Sequence, residues 1–199
     1  MTLPPVSGLS WTAVRSLAQN LTATQSSKEL TVAAIPALEA PEVKQRMLAV
    51  YLLGFTAKTE LENVEVLRQR VPADPSWEVQ EALAQAFDAY CAAIGYETAL
   101  PTIDAWLADP QPNARRAVSE GLRPWTARSR PYFAHHPEEA IRRLAALRAD
   151  PSEYVRHSAG NALRDIRRRH ADLVEAETQG WDLSDPRAAF TYARVLRAR

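Results

Sequence analysis

Apolar residues recur along this chain at spacings of three and four, and in three places the whole pattern repeats. The stretches Ala73–Asp88 (ADPSWEVQEALAQAFD), Ala108–Arg123 (ADPQPNARRAVSEGLR) and Ala149–Arg164 (ADPSEYVRHSAGNALR) place Val79, Ala114 and Val155 in one column. The next columns are Ala82, Ala117 and Ser158, then Leu83, Val118 and Ala159, then Ala86, Gly121 and Ala162, then Phe87, Leu122 and Leu163. On a helix advancing about 100° per residue these positions form one continuous stripe, so each block is an amphipathic helix. The blocks start 35 and then 41 residues apart, the period of two-helix solenoid repeats. One such unit cannot cover its stripe without neighbours, which makes an all-α solenoid of helix pairs with a concave groove the expected fold.

Each block opens on Asp-Pro (Asp74-Pro75, Asp109-Pro110, Asp150-Pro151), and we expect Asp to cap the helix and Pro to fill its first turn. The preceding helix of each pair is expected at Leu61–Val71, Tyr96–Leu107 and Pro137–Leu147, the last led by Pro137-Glu138-Glu139. Pro41–Gly54 reads as a more degenerate unit, with Val43 lying 36 residues before Val79. Residues 1–199 are expected to form a single domain: a divergent cap over 1–40 with helices around Trp11–Leu21 and Lys28–Leu38, repeats over 41–175, and a tail over 176–199 with one helix at Thr191–Arg199.

Composition narrows the function classes. A lone Cys91 rules out an internal disulfide framework and reads as a small buried hydrophobe. No apolar run is long enough to span a bilayer, and MTLPPVSGLSW has neither a basic leader nor an apolar signal core, so a cytoplasmic location is the expectation. His135-His136 in an expected loop, with His157 and His170 scattered, gives no metal-ligand spacing. There is no G-x-S-x-G elbow or glycine-rich phosphate loop, and no lysine follows Lys58 to form a Schiff base. No metal and no cofactor are implied.

Charge is uneven under a formal net of zero. Residues 1–112 hold 7 Lys+Arg against 13 Asp+Glu, while residues 113–199 hold 17 against 11. The arginine-rich C-terminal half is therefore the side expected to meet a polyanion, although arginine is also simply a good helix former. Opposite the stripe, Trp77, Glu81 and Asp88 lie within about 40° of one another. Their columns continue as Pro112, Arg116 and Arg123, then Glu153, His157 and Arg164. Trp77 reads either as a groove aromatic or as packing between repeats.

The stretches WEVQEALAQAFDAYC, NARRAVSEGLRPW and SEYVRHSAGNALRDIRRRHADLV resemble the HEAT-like-repeat DNA alkylation repair glycosylases, the AlkD/AlkC superfamily, over about residues 41–175. The resemblance implies excision of cationic N-alkylated purines such as 3-methyladenine and 7-methylguanine from duplex DNA. By position, Trp77 and Glu81 match the family's W-x-x-x-D, with Glu replacing Asp as the catalytic acid. Arg116 matches its groove arginine. Asn161, in Gly160-Asn161-Ala162-Leu163-Arg164-Asp165, stands where AlkD-type members have a second Trp, which leans toward AlkC-like members.

The residues suit that chemistry. A carboxylate stabilises the oxocarbenium-like sugar and orients water, and a cationic purine needs no strong general acid to leave. Glu81 is the expected catalytic group, Asp88 the runner-up. Trp77, Arg115, Arg116, Arg123, Arg156, Asn161 and Arg164 are the expected DNA contacts. The bland reading of Glu81 is a solvated acid paired with Arg116. The competing function is a non-enzymatic module that binds DNA or a protein through the same face. A monomer acting on alkylated duplex DNA, with no membrane involvement, is the expectation.

Overall fold

The structure, a computed structural model, describes residues 2–123 and 131–197. Among these residues there are helices and turns and no strand. Pro124 and Trp125 of the resembling stretch, and the last two residues of the expected tail helix, lie outside the described residues. The chain forms two compact units, Met1–Gly95 and Tyr96–Arg199. The division falls where Gly95, at φ 91°, ends a helix in a conformation that a side chain would oppose.

The first unit contains α1 (Trp11–Thr24), α2 (Ser27–Ala37), α3 (Val43–Thr56), α4 (Glu62–Arg70), a 3-10 turn (Val71–Ala73) and α5 (Trp77–Ile94). Its centre is α3, whose residues Met47 to Gly54 are buried on every side, because α1, α2 and α5 all pack on it. Gly54 permits the closest of these approaches, since a Cβ there would stand 2.5 Å from the Ala86 Cβ of α5. The stripe on α5 (Val79, Ala82, Leu83, Ala86, Phe87) is buried as its spacing predicts, and Cys91 lies buried beyond it.

The second unit contains α6 (Tyr96–Leu107), α7 (Pro112–Gly121), α8 (Pro131–His135), α9 (Pro137–Ala146), α10 (Glu153–Arg167), α11 (Ala171–Gln179) and α12 (Pro186–Leu196). Here α10 is central, with α7, α9, α11 and α12 packed around it. His135 closes the short α8 and His136 caps α9, where the sequence suggested a loop. Beyond α10, α11 straddles the expected end of the repeats, and the tail helix α12 starts at Pro186, five residues before the expected Thr191. Residues 180–185 separate α11 from α12, with Asp185 accepting from the Arg187 N–H at 2.8 Å and Pro186 in the first turn of α12.

That arrangement is the one expected of the three repeat Asp-Pro pairs, and they do not adopt it. The N-caps of α5, α7 and α10 are Ser76, Gln111 and Ser152, two residues later. Asp74, Asp109 and Asp150 instead accept the backbone N–H of those cap residues at 2.8, 2.7 and 2.8 Å. Each Asp thus closes a turn around its Pro before the helix begins, because a short carboxylate reaches the N–H two residues on.

A ladder of long side chains stands six residues after Ala40 and after each of these aspartates, and the carboxylates of Asp74 and Asp150 anchor two of its members. Arg46 forks onto Asp74 (Nε to Oδ2 2.6 Å, Nη2 to Oδ1 3.2 Å) while its Nη1 donates to the carbonyls of Ala40 and Pro41. Arg115 does the same with Asp150 (2.7 and 2.8 Å) and the carbonyls of Asp109 and Pro110. Arg156 reaches the carbonyls of Asp150 and Pro151 at 2.5 and 3.1 Å. In α5 the position is Gln80, which donates to Val71, Pro72 and Asp74 carbonyls. Planar guanidinium forks thereby satisfy carbonyls that the tight turns leave without backbone partners.

Candidate active site

The turn Asp74-Pro75-Ser76 fixes where α5 starts, and Trp77 is its first residue. Arg46 holds Asp74, Asp74 holds the Ser76 N–H, and the Ser76 Oγ accepts from the Glu78 N–H at 3.2 Å. From this anchored end Trp77 projects into solvent, 68% exposed. It does not pack between repeats. One indole face lies on Trp11 of α1, with ring centres 5.3 Å apart and planes at 30°. Trp11 is tied in turn to α5, its Nε1 donating to Glu78 Oε1 at 2.7 Å.

Glu81 and Asp88 lie one and three turns along α5 from Trp77, and both are half-buried. Beside them Gln85 accepts from the Tyr51 hydroxyl at 3.1 Å and from Arg15 Nη1 at 3.3 Å. Burial pushes the Tyr51 hydroxyl up to about 12, with the Arg15 cation opposing and the Glu81 carboxylate reinforcing the rise. Tyr51 therefore stays a proton donor at any physiological pH, close enough to Glu81 to feel its charge. This face of the first unit carries an exposed indole, a carboxylate one turn away and an exposed arginine, with the protonated Tyr51 phenol buried beneath them.

In the second unit the expected DNA contacts divide. Arg115 and Arg156 are buried ladder members, their guanidinium groups committed to Asp150 and to turn carbonyls, and Arg156 also covers the Phe190 ring at 5.2 Å. These bonds give both arginines a structural task besides the phosphate contact expected of them. Arg116, on the next position round α7, lies over the ring of Tyr154, 4.3 Å from its centre, and Tyr154 is 52% exposed. Arg123 is paired with Glu120 and Asp165, both at 3.0 Å. Arg164 stands 3.7 Å from Asp165, its Nε buried without a hydrogen-bond partner. Asn161 is half-buried on α10.

His157, in the Glu81 and Arg116 column, is pushed below its ordinary pKa by burial, then by Arg194 and Arg197, against the pull of Glu153 and Glu120. Arg194 and Arg156 both lie over Phe190, and His157 is 5.9 Å from the same ring. Sequence reasoning passed over Trp11, Arg15, Tyr51, Tyr154, Phe190 and Arg194. Only an unexplained aromatic outside the repeats, such as Trp11, carried any signal of this kind. Among the described residues no group of three His, Cys, Asp or Glu side chains is placed to hold a metal ion. No helix among them is long and apolar enough to cross a membrane.

Several known proteins share this architecture. The crystal structure of AlkD2 from Streptococcus mutans superimposes with a TM-score of 0.89 at 41% identity, covering 94% of this chain and 88% of that one. The structure of the Pseudomonas fluorescens alkylpurine DNA glycosylase AlkC, bound to DNA containing an abasic site analog, superimposes with a TM-score of 0.70. That likeness, at 22% identity over 93% of this chain and 51% of AlkC, concerns the fold. An uncharacterized protein of Bacillus subtilis, YhaZ, is 31% identical over 96 residues, 47% of this chain and 27% of that protein's length. The family described as DNA alkylation repair enzyme matches residues 4–193, and with nearly its whole length accounted for in this way, the chain belongs to that family.

Proposed function

We propose that this protein is a monofunctional DNA glycosylase that hydrolyses the N-glycosidic bond of cationic alkylated purines in duplex DNA. The observation that carries the reading is the exposed Trp77 with Glu81 one turn behind it on α5, in a chain matched by the repair family over residues 4–193. Trp77 packs against the deoxyribose or base of the lesion, and the Glu81 carboxylate faces the anomeric carbon. As the C1′–N bond breaks, its electron pair returns to the purine, which leaves as a neutral base because it carried the positive charge. Glu81 stabilises the cationic sugar, and a water molecule adds to C1′, giving its proton to Glu81 and then to solvent. The product is an abasic site.

Arg116, Arg123, Arg164 and Asn161 contact the duplex, joined by Arg15 and Arg194. Arg115 and Arg156 support the fold instead. The protein works as a cytoplasmic monomer without metal or cofactor.

A second reading, a non-enzymatic module that binds DNA or a protein partner through the same face, is favoured in its protein-binding form by one observation. Two of the arginines expected to contact phosphate are spent inside the second unit, which leaves fewer cations to grip a duplex. Incubation with methylated duplex DNA separates the readings. The glycosylase reading predicts free 3-methyladenine or 7-methylguanine and alkali-labile sites. DNA bound in the same assay with no base released would establish the module.

A further inference from the structure

Trp11 lies outside the repeats and 66 positions before Trp77 in sequence, yet it is the residue against which the exposed indole rests. Both indoles grow from fixed backbone. Trp11 is the first residue of α1, behind a Ser10 cap that accepts the Ala13 N–H, and Lys44 Nζ donates to the Leu9 carbonyl just before it. Trp77 is the first residue of α5, behind the Arg46–Asp74–Ser76 chain. A side chain at the first position of a helix has few neighbours to fix its rotamer. The Trp11 ring supplies one, and the Glu78 carboxylate fixes that ring by its N–H at 2.7 Å.

Leaving the largest apolar side chain 68% in water brings no folding benefit. Holding it there in one orientation does lower the entropy still to be lost when DNA arrives. We infer that Trp11 is a positioning residue for DNA recognition, acting through Trp77, and that Glu78 is the clamp that holds it. The inference deepens the proposed function and rests on Trp77 meeting DNA. Trp11 itself touches no substrate. Its effect is to present one indole face of Trp77, with the other already covered.

The test is a double-mutant cycle read by fluorescence anisotropy on a fluorescein-labelled duplex carrying one abasic-site analogue. Trp77→Ala and Trp11→Ala should each weaken binding about 10-fold, and the double variant should bind no more weakly than Trp77→Ala alone. Trp11→Phe, which keeps a stacking ring, should recover most of the loss. Glu78→Ala should weaken binding about 3-fold. In the 1H–15N spectrum it should also move upfield the indole signal that Trp11→Phe removes, whereas Glu78→Gln keeps an acceptor and should leave both readouts near wild type. Where Trp11→Ala fails to fold, Glu78→Ala carries the test, since it removes no apolar contact. Additive losses of about 100-fold in the double variant would overturn the inference, and so would a harmless Trp11→Ala beside a damaging Trp77→Ala. If Trp77→Ala itself binds as wild type, the site assigned under the proposed function falls as well, which tells the two failures apart.

Discussion

The two units use their charged and aromatic residues in opposite ways. The first, in the acidic part of the chain, displays its chemistry: Trp77 stands in solvent, Arg15 is exposed, and Glu81 lies one turn from the indole. The second, rich in arginine, draws much of that charge inward. Arg115, Arg143 and Arg156 are buried and bonded to carboxylates or turn carbonyls, Arg116 is covered by the Tyr154 ring, and Arg123 is paired with two carboxylates. Formal charge along the sequence therefore overstates how much of it is free at the surface, because a guanidinium can equally well satisfy a turn carbonyl.

The neighbours Arg115 and Arg116 offer the sharpest way to break this comparison. Arg115→Ala leaves the buried Asp150 carboxylate without its cation and two turn carbonyls without their donor, and it should lower unfolding stability in urea by about 3–5 kcal/mol. Arg46→Ala in the first unit should act in the same direction, since Asp74 is gripped by the same fork. An exposed-type loss under 1 kcal/mol for Arg115→Ala would place the ladder among solvated pairs and undo the contrast.

Arg116→Ala should act on binding instead. Duplex affinity should fall uniformly across sequences and the slope of log affinity against log salt should lessen by about 1, with the unfolding midpoint much less affected than in Arg115→Ala. An unchanged salt slope would assign Arg116 to the fold together with its neighbour.

The smallest effect concerns pH. His157 has its folded pKa pushed below its unfolded value of 6.5, so the unfolded chain takes up the proton first as pH falls. Its contribution to stability is complete above pH 6.5 and declines below it. His157→Phe should flatten the stability profile in that acid window and leave it unchanged at pH 8. A profile as steep as wild type below pH 6.5 would contradict the direction of the shift.

Much of the fold was legible because burial obeys the helical period. The stripes on α5 and α10 and the partner helices α6 and α9 fall where their spacing places them. The Asp-Pro pairs misled because a sequence shows cap residues and Asx turns with the same letters. Only the backbone reveals that Asp185 caps its helix while Asp74, Asp109 and Asp150 close turns before theirs. The site was legible only within one helix. Trp77, Glu81 and Asp88 share a face by arithmetic, whereas Trp11, Arg15 and Tyr51 reach it from α1 and α3 through tertiary packing that no local pattern encodes.

The central claim is that the acidic first unit, at Glu81, holds the chemistry. It is tested most directly by single-turnover release of methylated purines from duplex DNA by wild type, Glu81→Gln and Asp88→Asn, with binding measured alongside. The account predicts that Glu81→Gln slows release by about 100-fold or more, binds DNA as tightly as wild type or slightly more so, and that Asp88→Asn releases base near the wild-type rate. Release at the wild-type rate by Glu81→Gln, with Asp88→Asn inactive, would contradict it and move the catalytic carboxylate to Asp88.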